Sequence, residues 1–406
     1  MPLPAPPSSR QLAERFRPVF QRIAEGALQR ENDRALAYDA VGWLRDAGFG
    51  ALRVPIAAGG LGASVEQFFD LLVELGEADS NLPQVLRAHF GFIERLFAEV
   101  DPGLHAPWLG RAAAGAIFGN ATTELGHGAP GSLQTTLRRE GSGWRLDGDK
   151  FYSTGTLYAD WIGVAAQRID DDGAGERVLV LVPADAEGVE RLDDWRGFGQ
   201  RLSASGTTRF RGVHTAPANV LPSARTGPTP MTAFFQLVHL ATLAGIARAI
   251  ERDAVAFVQI RKRVYSHGSG NTPREDPLVQ QLIGQLASTA FATSATVQAV
   301  AAGLGDIDRL RAAGQPIPVE MLVDVELRMA KAQVVIGDAV LQSATRLFDV
   351  GGASALHEDV RLDRHWRNAR TLASHNPVIY KARVVGDHAL NGIDPTFYWT
   401  VGANAA

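Results

Sequence analysis

The chain has 406 residues, 46% of them apolar and 21% charged, with a formal net charge of −4. That is enough chain for two or three units around sizeable cores, and so small a net charge does not draw the surface to nucleic acid or to an anionic membrane. With no cysteine in the chain, disulfides, thiolate nucleophiles and zinc–thiolate sites are excluded, a composition that fits the cytoplasm.

Residues 1–9, Met-Pro-Leu-Pro-Ala-Pro-Pro-Ser-Ser, lack the basic and apolar regions of a signal peptide and read as a short disordered lead. Residues 10–116 predict a helical domain. Segments 11–25, 33–47 and 65–77 repeat apolar residues at three- and four-residue spacing, the period of an amphipathic helix. Asp79, Ser80, Asn81 and Pro83 supply start signals for a further helix over 85–100. The glycine turn at 57–64 reads equally as a connector and as a substrate-lining loop.

Across residues 117–225 the period changes to two. Segments 132–137, 144–147, 161–166, 177–182 and 207–211 predict the strands of a small β-barrel or sandwich. Helix returns over 226–406, where 231–260, 276–302 and 319–349 are long and rich in alanine and apolar residues. Such helices pack as a four-helix bundle, and surplus apolar surface often forms an oligomer interface. The longest apolar stretch, 237–250, contains His239 and Arg248 and is shorter than the ~20 residues of a membrane span. The expected class is α+β, soluble, with no membrane and no nucleic-acid partner.

Several local patterns carry no function. Residues 126–131, Gly-His-Gly-Ala-Pro-Gly, match a dinucleotide fingerprint but are followed by a polar strand-like run, where that fingerprint needs a helix. The ten histidines include no pair at metalloprotease spacing, so no metal site is expected. Ser203 and Ser205 have no nucleophile-elbow sequence around them.

Two motifs, in order along the chain, carry chemistry. Asn120-Ala-Thr-Thr-Glu124 and Lys150-Phe-Tyr-Ser-Thr-Gly155 gather side-chain hydroxyls and amides within a few residues, the second ending in a glycine. Helix, then β, then helix, with these motifs in the middle, resembles the acyl-CoA dehydrogenase fold. The resemblance implies that Thr123 hydrogen-bonds the pyrimidine edge of the isoalloxazine. Tyr152 would stand over the ring in place of a tryptophan, and Thr154 would lie near N5. Asn120, Thr122 and Ser153 complete the expected cofactor set. In true dehydrogenases the C-terminal signature runs on into Tyr-Glu-Gly-Thr, whose glutamate removes the substrate's α-proton. Aligned from Arg367, those positions here are His375, Asn376, Pro377 and Val378. An amide is not basic enough to take a carbon-bound proton, so the dehydrogenase base is missing.

Three further runs, Asp193-Asp-Trp-Arg-Gly-Phe-Gly-Gln-Arg201, Leu362-Asp-Arg-His-Trp-Arg-Asn-Ala-Arg370 and Leu390-Asn-Gly392, resemble the dibenzothiophene monooxygenase-like branch. That branch includes the sulfone and sulfinate monooxygenases of sulfur acquisition. The resemblance implies a two-component enzyme: a separate NADH:flavin reductase supplies FMNH2, dioxygen adds to it as a C4a-hydroperoxide, and one oxygen passes to a small organosulfur substrate. His375 matches the branch's retained histidine, and His89 in Arg87-Ala-His-Phe90 matches a second one from the N-terminal helices. With Ser153 they form the expected catalytic set, since imidazole can donate, accept or deliver a proton. Leu372 replaces the branch's other C-terminal histidine and Asn376 its aspartate, which leaves the substrate open. Arg261-Lys-Arg-Val-Tyr265 stands where FAD enzymes have Arg-x-Gln-Phe-Gly. Arg261 and Arg263 are expected to clamp one terminal phosphate, which favours FMN over FAD. A homotetramer with flavin near its subunit interfaces is also implied. Two rival readings stay open: a dehydrogenase-like FAD protein with a non-standard base, and an inactive flavin-binding relative.

Overall fold

The structure is a computed structural model describing residues 5–98, 102–125, 133–170, 173–222 and 227–397. The glycine pattern at 126–131 lies outside the described residues, as do the first four residues of the lead. Five helices come first: α1 (Ser9–Asp33), α2 (Tyr38–Asp46), α3 (Val65–Ala78), α4 (Asn81–Ala98) and α5 (Pro102–Ala113). Capping boxes start two of them, Ser8 with Gln11 at α1 and Ser64 with Gln67 at α3; each satisfies amides that the first turn leaves free. The glycine turn folds back on the chain before it, through Leu61 N–H to Ala51 O at 3.0 Å and Gly62 N–H to Val54 O at 2.9 Å.

The middle of the chain forms β1 (Phe118–Ala121), β2 (Thr136–Glu140), β3 (Gly143–Lys150), β4 (Trp161–Asp170), β5 (Gly173–Pro183), β6 (Val189–Arg191), β7 (Thr208–Thr215) and β8 (Val220–Pro222). They make one sheet in the order β6-β7-β3-β2-β4-β5-β8. Strands β1 and β2 both run parallel to β4, along different stretches of it. The first flavin motif was expected as a strand over 120–124, but β1 ends at Ala121 and the rest continues as an extended segment. Leu137, Leu146, Ile162, Val164, Val180 and Phe210 fill a core of the sheet's own, the consequence of period-two alternation.

The last part holds α6 (Met231–Ile260), α7 (Pro277–Ala312), α8 (Val319–Arg346), α9 (Asp363–Ala373) and α10 (Val378–Asn391). Helix α6 is long and apolar enough to cross a membrane by length and composition. Its apolar surface is instead buried against α3, α4, α7 and α8, as expected of a helix hydrophobic all round. Phe68, Phe69, Phe90 and Phe234 knit α3, α4 and α6 together, with ring centroids 4.5–5.7 Å apart. Thus α4 and α6, the helices that face the flavin motifs and the C-terminal signature, belong to one continuous core.

Candidate active site

The two flavin motifs lie far apart in sequence and meet in the fold. Phe151 N–H donates to Thr123 O at 2.8 Å, which lays the segment after β1 beside the one after β3. Lys150 reinforces the join: its ammonium, fully buried, reaches Glu124 Oε1 at 2.6 Å and Thr122 O at 3.3 Å. Glu124 also accepts from the amides of Gln134 and Thr135 at 2.7 and 3.0 Å. Burial pushes the Glu124 carboxyl up, but the Lys150 bond and those amides outweigh it and hold the carboxyl at about 2. Glu124 and Lys150 therefore fasten the site without facing it.

The cofactor residues border an open edge. Asn120 and Thr123 are half-buried, Thr122 is exposed, and Tyr152 is exposed with φ of 54° and its ring edge-on to Trp195 at 6.0 Å. Thr154 shares a hydrogen bond with Ser205 at 2.9 Å, and Ser205 another with Ser203 at 2.8 Å. Ser153 is fully buried, and its Oγ has no hydrogen-bond partner among the described residues. A buried hydroxyl left without a partner is costly, and with Thr123 on the joined segment and Thr154 paired to Ser205 the two motifs gather the donor types a flavin's carbonyl edge takes. The residues fit a flavin. Gly155 places this segment: at φ of +78° a Cβ would stand 2.5 Å from Val85 O, so only glycine lets the segment press against α4.

One residue before Val85 begins the second half of the site. Gln84 Oε1 meets His239 Nε2 at 3.0 Å, and the His239 ring faces His375 with centroids 4.3 Å apart. The next residue, Asn376, donates its amide to Gln236 Oε1 at 2.5 Å and accepts from Gln333 at its backbone carbonyl at 3.0 Å. The position expected to match a dehydrogenase's glutamate is thus an asparagine held at its side chain by Gln236 and at its backbone by Gln333. Arg87, one turn along α4 from Gln84, donates to Phe235 O at 3.1 Å and lies 4.9 Å from the Phe235 ring centroid.

His239 is fully buried. Burial, then the charges of Arg87 and His375, push its pKa well below the usual histidine value. His375 is exposed by surface area yet crowded by protein, so it lines an open cleft. Burial and then the Arg87 charge lower its pKa too. Both rings are neutral at pH 7, each with one nitrogen to donate and one to accept. Burial alone draws Arg87 down to about 10, which leaves it cationic.

Gln84, Arg87, Gln236 and His239 were not among the expected site residues. A signal existed, since Gln84 and Arg87 are three apart on α4 and Gln236 and His239 three apart in an apolar run of α6, a spacing that puts each pair on one face. His89 is set apart from these four. It is fully buried, with Nε2 at 2.8 Å from Gly50 O and Nδ1 accepting the Phe118 amide at 3.3 Å. Five residues beyond Gln84, it lies about 140° around the helix from it. Both ring nitrogens serve the backbone, so His89 is a core residue with no group to offer the cleft. Arg261 donates to Val350 O at 3.1 Å just past the end of α6. Arg263 is exposed in the loop that follows. Neither is bonded to residues 120–154 among the described residues. Two surface concavities, one bordered by Leu341, Gln342 and Trp366 and one by Arg248, Val255 and Gln259, contain none of the candidate residues.

Residues 119–213 match the acyl-CoA dehydrogenase middle domain and residues 237–379 its C-terminal domain, together more than half of the chain. The chain belongs to the acyl-CoA dehydrogenase family. Its relatives within that family include monooxygenases. The probable FMNH2-dependent monooxygenase SfnC of Pseudomonas putida is 29% identical over 98% of each chain. Among solved structures, FMN-bound TdsC from Paenibacillus sp. A11-2 is 26% identical, covers 95% of this chain and 98% of its own, and superposes with a TM-score of 0.86. Methanesulfinate monooxygenase MsuC from Pseudomonas fluorescens is 27% identical, with 94% and 97% covered and a TM-score of 0.83. The acyl-CoA dehydrogenase fold thus accounts for the helical start, the central sheet and the closing bundle.

Proposed function

We propose that this chain is the oxygenase of a two-component system, using FMNH2 from a separate NADH:flavin reductase and dioxygen to oxygenate a small organosulfur compound. One observation carries the reading: in a dehydrogenase fold, the base position is the amide of Asn376, beside a pair of neutral histidines, His239 and His375, in van der Waals reach of each other. FMNH2, when bound, supplies the two electrons with which dioxygen is cleaved. The protein's own part is to seat the flavin edge on Thr123, Ser153 and Thr154 and to keep water from the reacting atoms. His375 would hold a proton at one ring nitrogen for the departing oxygen. The likeness to SfnC, TdsC and MsuC supports FMN as the flavin.

The reading extends to assembly and location. A homotetramer in the cytoplasm is the expected form; the oligomeric part is favoured by apolar residues left in the open, since Leu278 and Phe291 on α7, and Ile379, Tyr380 and Leu390 on α10, are each at least 60% exposed. Arg261 and Arg263 then serve a phosphate only where a neighbouring chain brings its flavin to them.

The test is to supply FMNH2 anaerobically, admit oxygen in the presence of candidate sulfones and sulfinates, and measure the share of FMNH2 that ends in oxygenated product instead of free hydrogen peroxide. Wild type should couple the two; His375→Ala should lower that share at least tenfold with FMNH2 affinity unchanged. Anaerobic bleaching of the flavin by an acyl-CoA thioester would refute the reading.

A further inference from the structure

Several enclosed arginines of this chain meet acids. Arg53 reaches Glu94 at 2.6 Å and Asp308 at 2.5 Å; Arg30 reaches Asp79 at 2.9 Å; Arg367 reaches Glu31 at 2.8 Å and Asp363 at 2.7 Å. Arg87 forms no ion pair among the described residues. Its Nε is spent on Phe235 O and its plane lies near the Phe235 ring. Burial lowers its pKa with no acid acting against that shift. A guanidinium taken from water without a counter-charge is costly, and at a binding cleft the missing charge is the ligand's to bring. The groups around it are neutral: Gln84 one turn away, then His239 and His375, whose pKa values its charge helps to depress.

We infer that Arg87 is the anion-binding group of the substrate site, and that the compound oxygenated there is a small organic sulfinate held through its two charged oxygens. The inference rests on the monooxygenase reading and narrows it. The planar fork of a guanidinium pairs with two oxygens of one anion. A sulfone or a thiophene has no charge and would leave Arg87 unpaired. A carboxylate fits the fork, but its carbon has no lone pair to accept an oxygen atom. A sulfonate fits too, but its sulfur is fully oxidised. The sulfinate sulfur carries both the negative oxygens and a lone pair. The step balances: sulfinate, dioxygen and FMNH2 give sulfonate, FMN and water. One S–O bond forms and the O–O bond breaks. Sulfur and the reduced flavin lose two electrons each, and the two flavin hydrogens leave in water. Two residues divide the work, Arg87 as a binding residue and Gln84 as a positioning residue that sets the His239 tautomer by accepting from Nε2.

The experiment is calorimetric titration of the full chain with methanesulfinate and with dimethyl sulfone, near neighbours in size that differ in charge. FMN affinity is read in parallel from quenching of flavin fluorescence. Wild type should bind methanesulfinate at least tenfold more tightly than the sulfone. Arg87→Gln should lose at least tenfold in sulfinate affinity, Arg87→Lys should keep part of it, and sulfone binding should move less than twofold. Equal binding of the two ligands by wild type overturns the inference without reference to any variant's folding. So does Arg87→Gln binding methanesulfinate as wild type does, including the case in which that variant loses FMN affinity instead, which would assign Arg87 to the flavin phosphate. Sulfinate discrimination by a protein that takes up no FMN would uphold the anion site and sink the monooxygenase reading. FMN uptake with no discrimination would do the reverse.

Discussion

Replacing Glu124 with glutamine tests the fastening under the flavin edge. The substitution keeps size and one acceptor oxygen but removes the charge facing the fully buried Lys150 ammonium. A carboxyl held at about 2 against an ordinary 4.5 corresponds to about 3 kcal/mol of favourable interaction. Glu124 is 14% exposed, so solvent screens part of that and about 2 kcal/mol is expected. The loss should concentrate where the two motifs join. The Phe151 amide, which donates to Thr123 O, should exchange with deuterium about 30-fold faster by the same free energy, measured by mass spectrometry on peptides spanning 148–155. The pH dependence has a definite sign. Because the folded pKa is depressed, the stabilisation is present above pH 4.5 and is lost as the pH falls towards 2. The difference between wild type and Glu124→Gln should therefore shrink over that range. Equal exchange at pH 7, or a difference that does not change on acidification, would refute the argument.

His89→Asn should destabilise the fold by about 2 kcal/mol through loss of two buried hydrogen bonds, while FMN affinity changes less than twofold. Burial depresses the His89 pKa from 6.5 to about 4, so its share of stability is lost as the pH falls between those values; chemical denaturation should show the wild-type advantage over the variant fading across that interval. Gly155→Ala combines a left-handed backbone, about 1–2 kcal/mol for an L-residue, with a Cβ 2.5 Å from Val85 O; FMN affinity by fluorescence quenching should fall at least tenfold as the segment lifts from α4, and an unchanged affinity would mean that the flavin does not sit there. His239→Leu removes a buried ring whose Nδ1 has no partner, so thermal stability should hold or rise while the yield of oxygenated product falls; coupling equal to wild type would take His239 out of the chemistry.

The long helices and the two motif segments were legible because both are local. Apolar residues at a 3.6-residue period make α1 and α3 wherever they stand, a long apolar run makes α6, and Asn120–Glu124 and Lys150–Gly155 each hold their donors within a few consecutive residues. Asn376 could be read as the lost dehydrogenase base for the same reason. The helices after α8 were not resolved into α9 and α10, because α10 buries none of its residues and so presents no inward stripe to count. That His89 and Gln84 occupy different faces of α4 was not legible, because resemblance aligns positions in a line, and a line does not say which face of a helix a residue occupies.

What the sequence determined by itself was the kind of fold and the flavin-monooxygenase relatives it resembles. What only the tertiary structure decided was the company the chain's residues keep. Gln84 and His239 lie 155 residues apart along the chain, and nothing local in either helix states that they touch. Nor does any local rule reveal that Arg87, enclosed as it is, forms no ion pair among the described residues. An ion pair forms across whatever distance in sequence the packing of α4 against α6 closes, so the lack of one becomes visible only when every neighbour is in place.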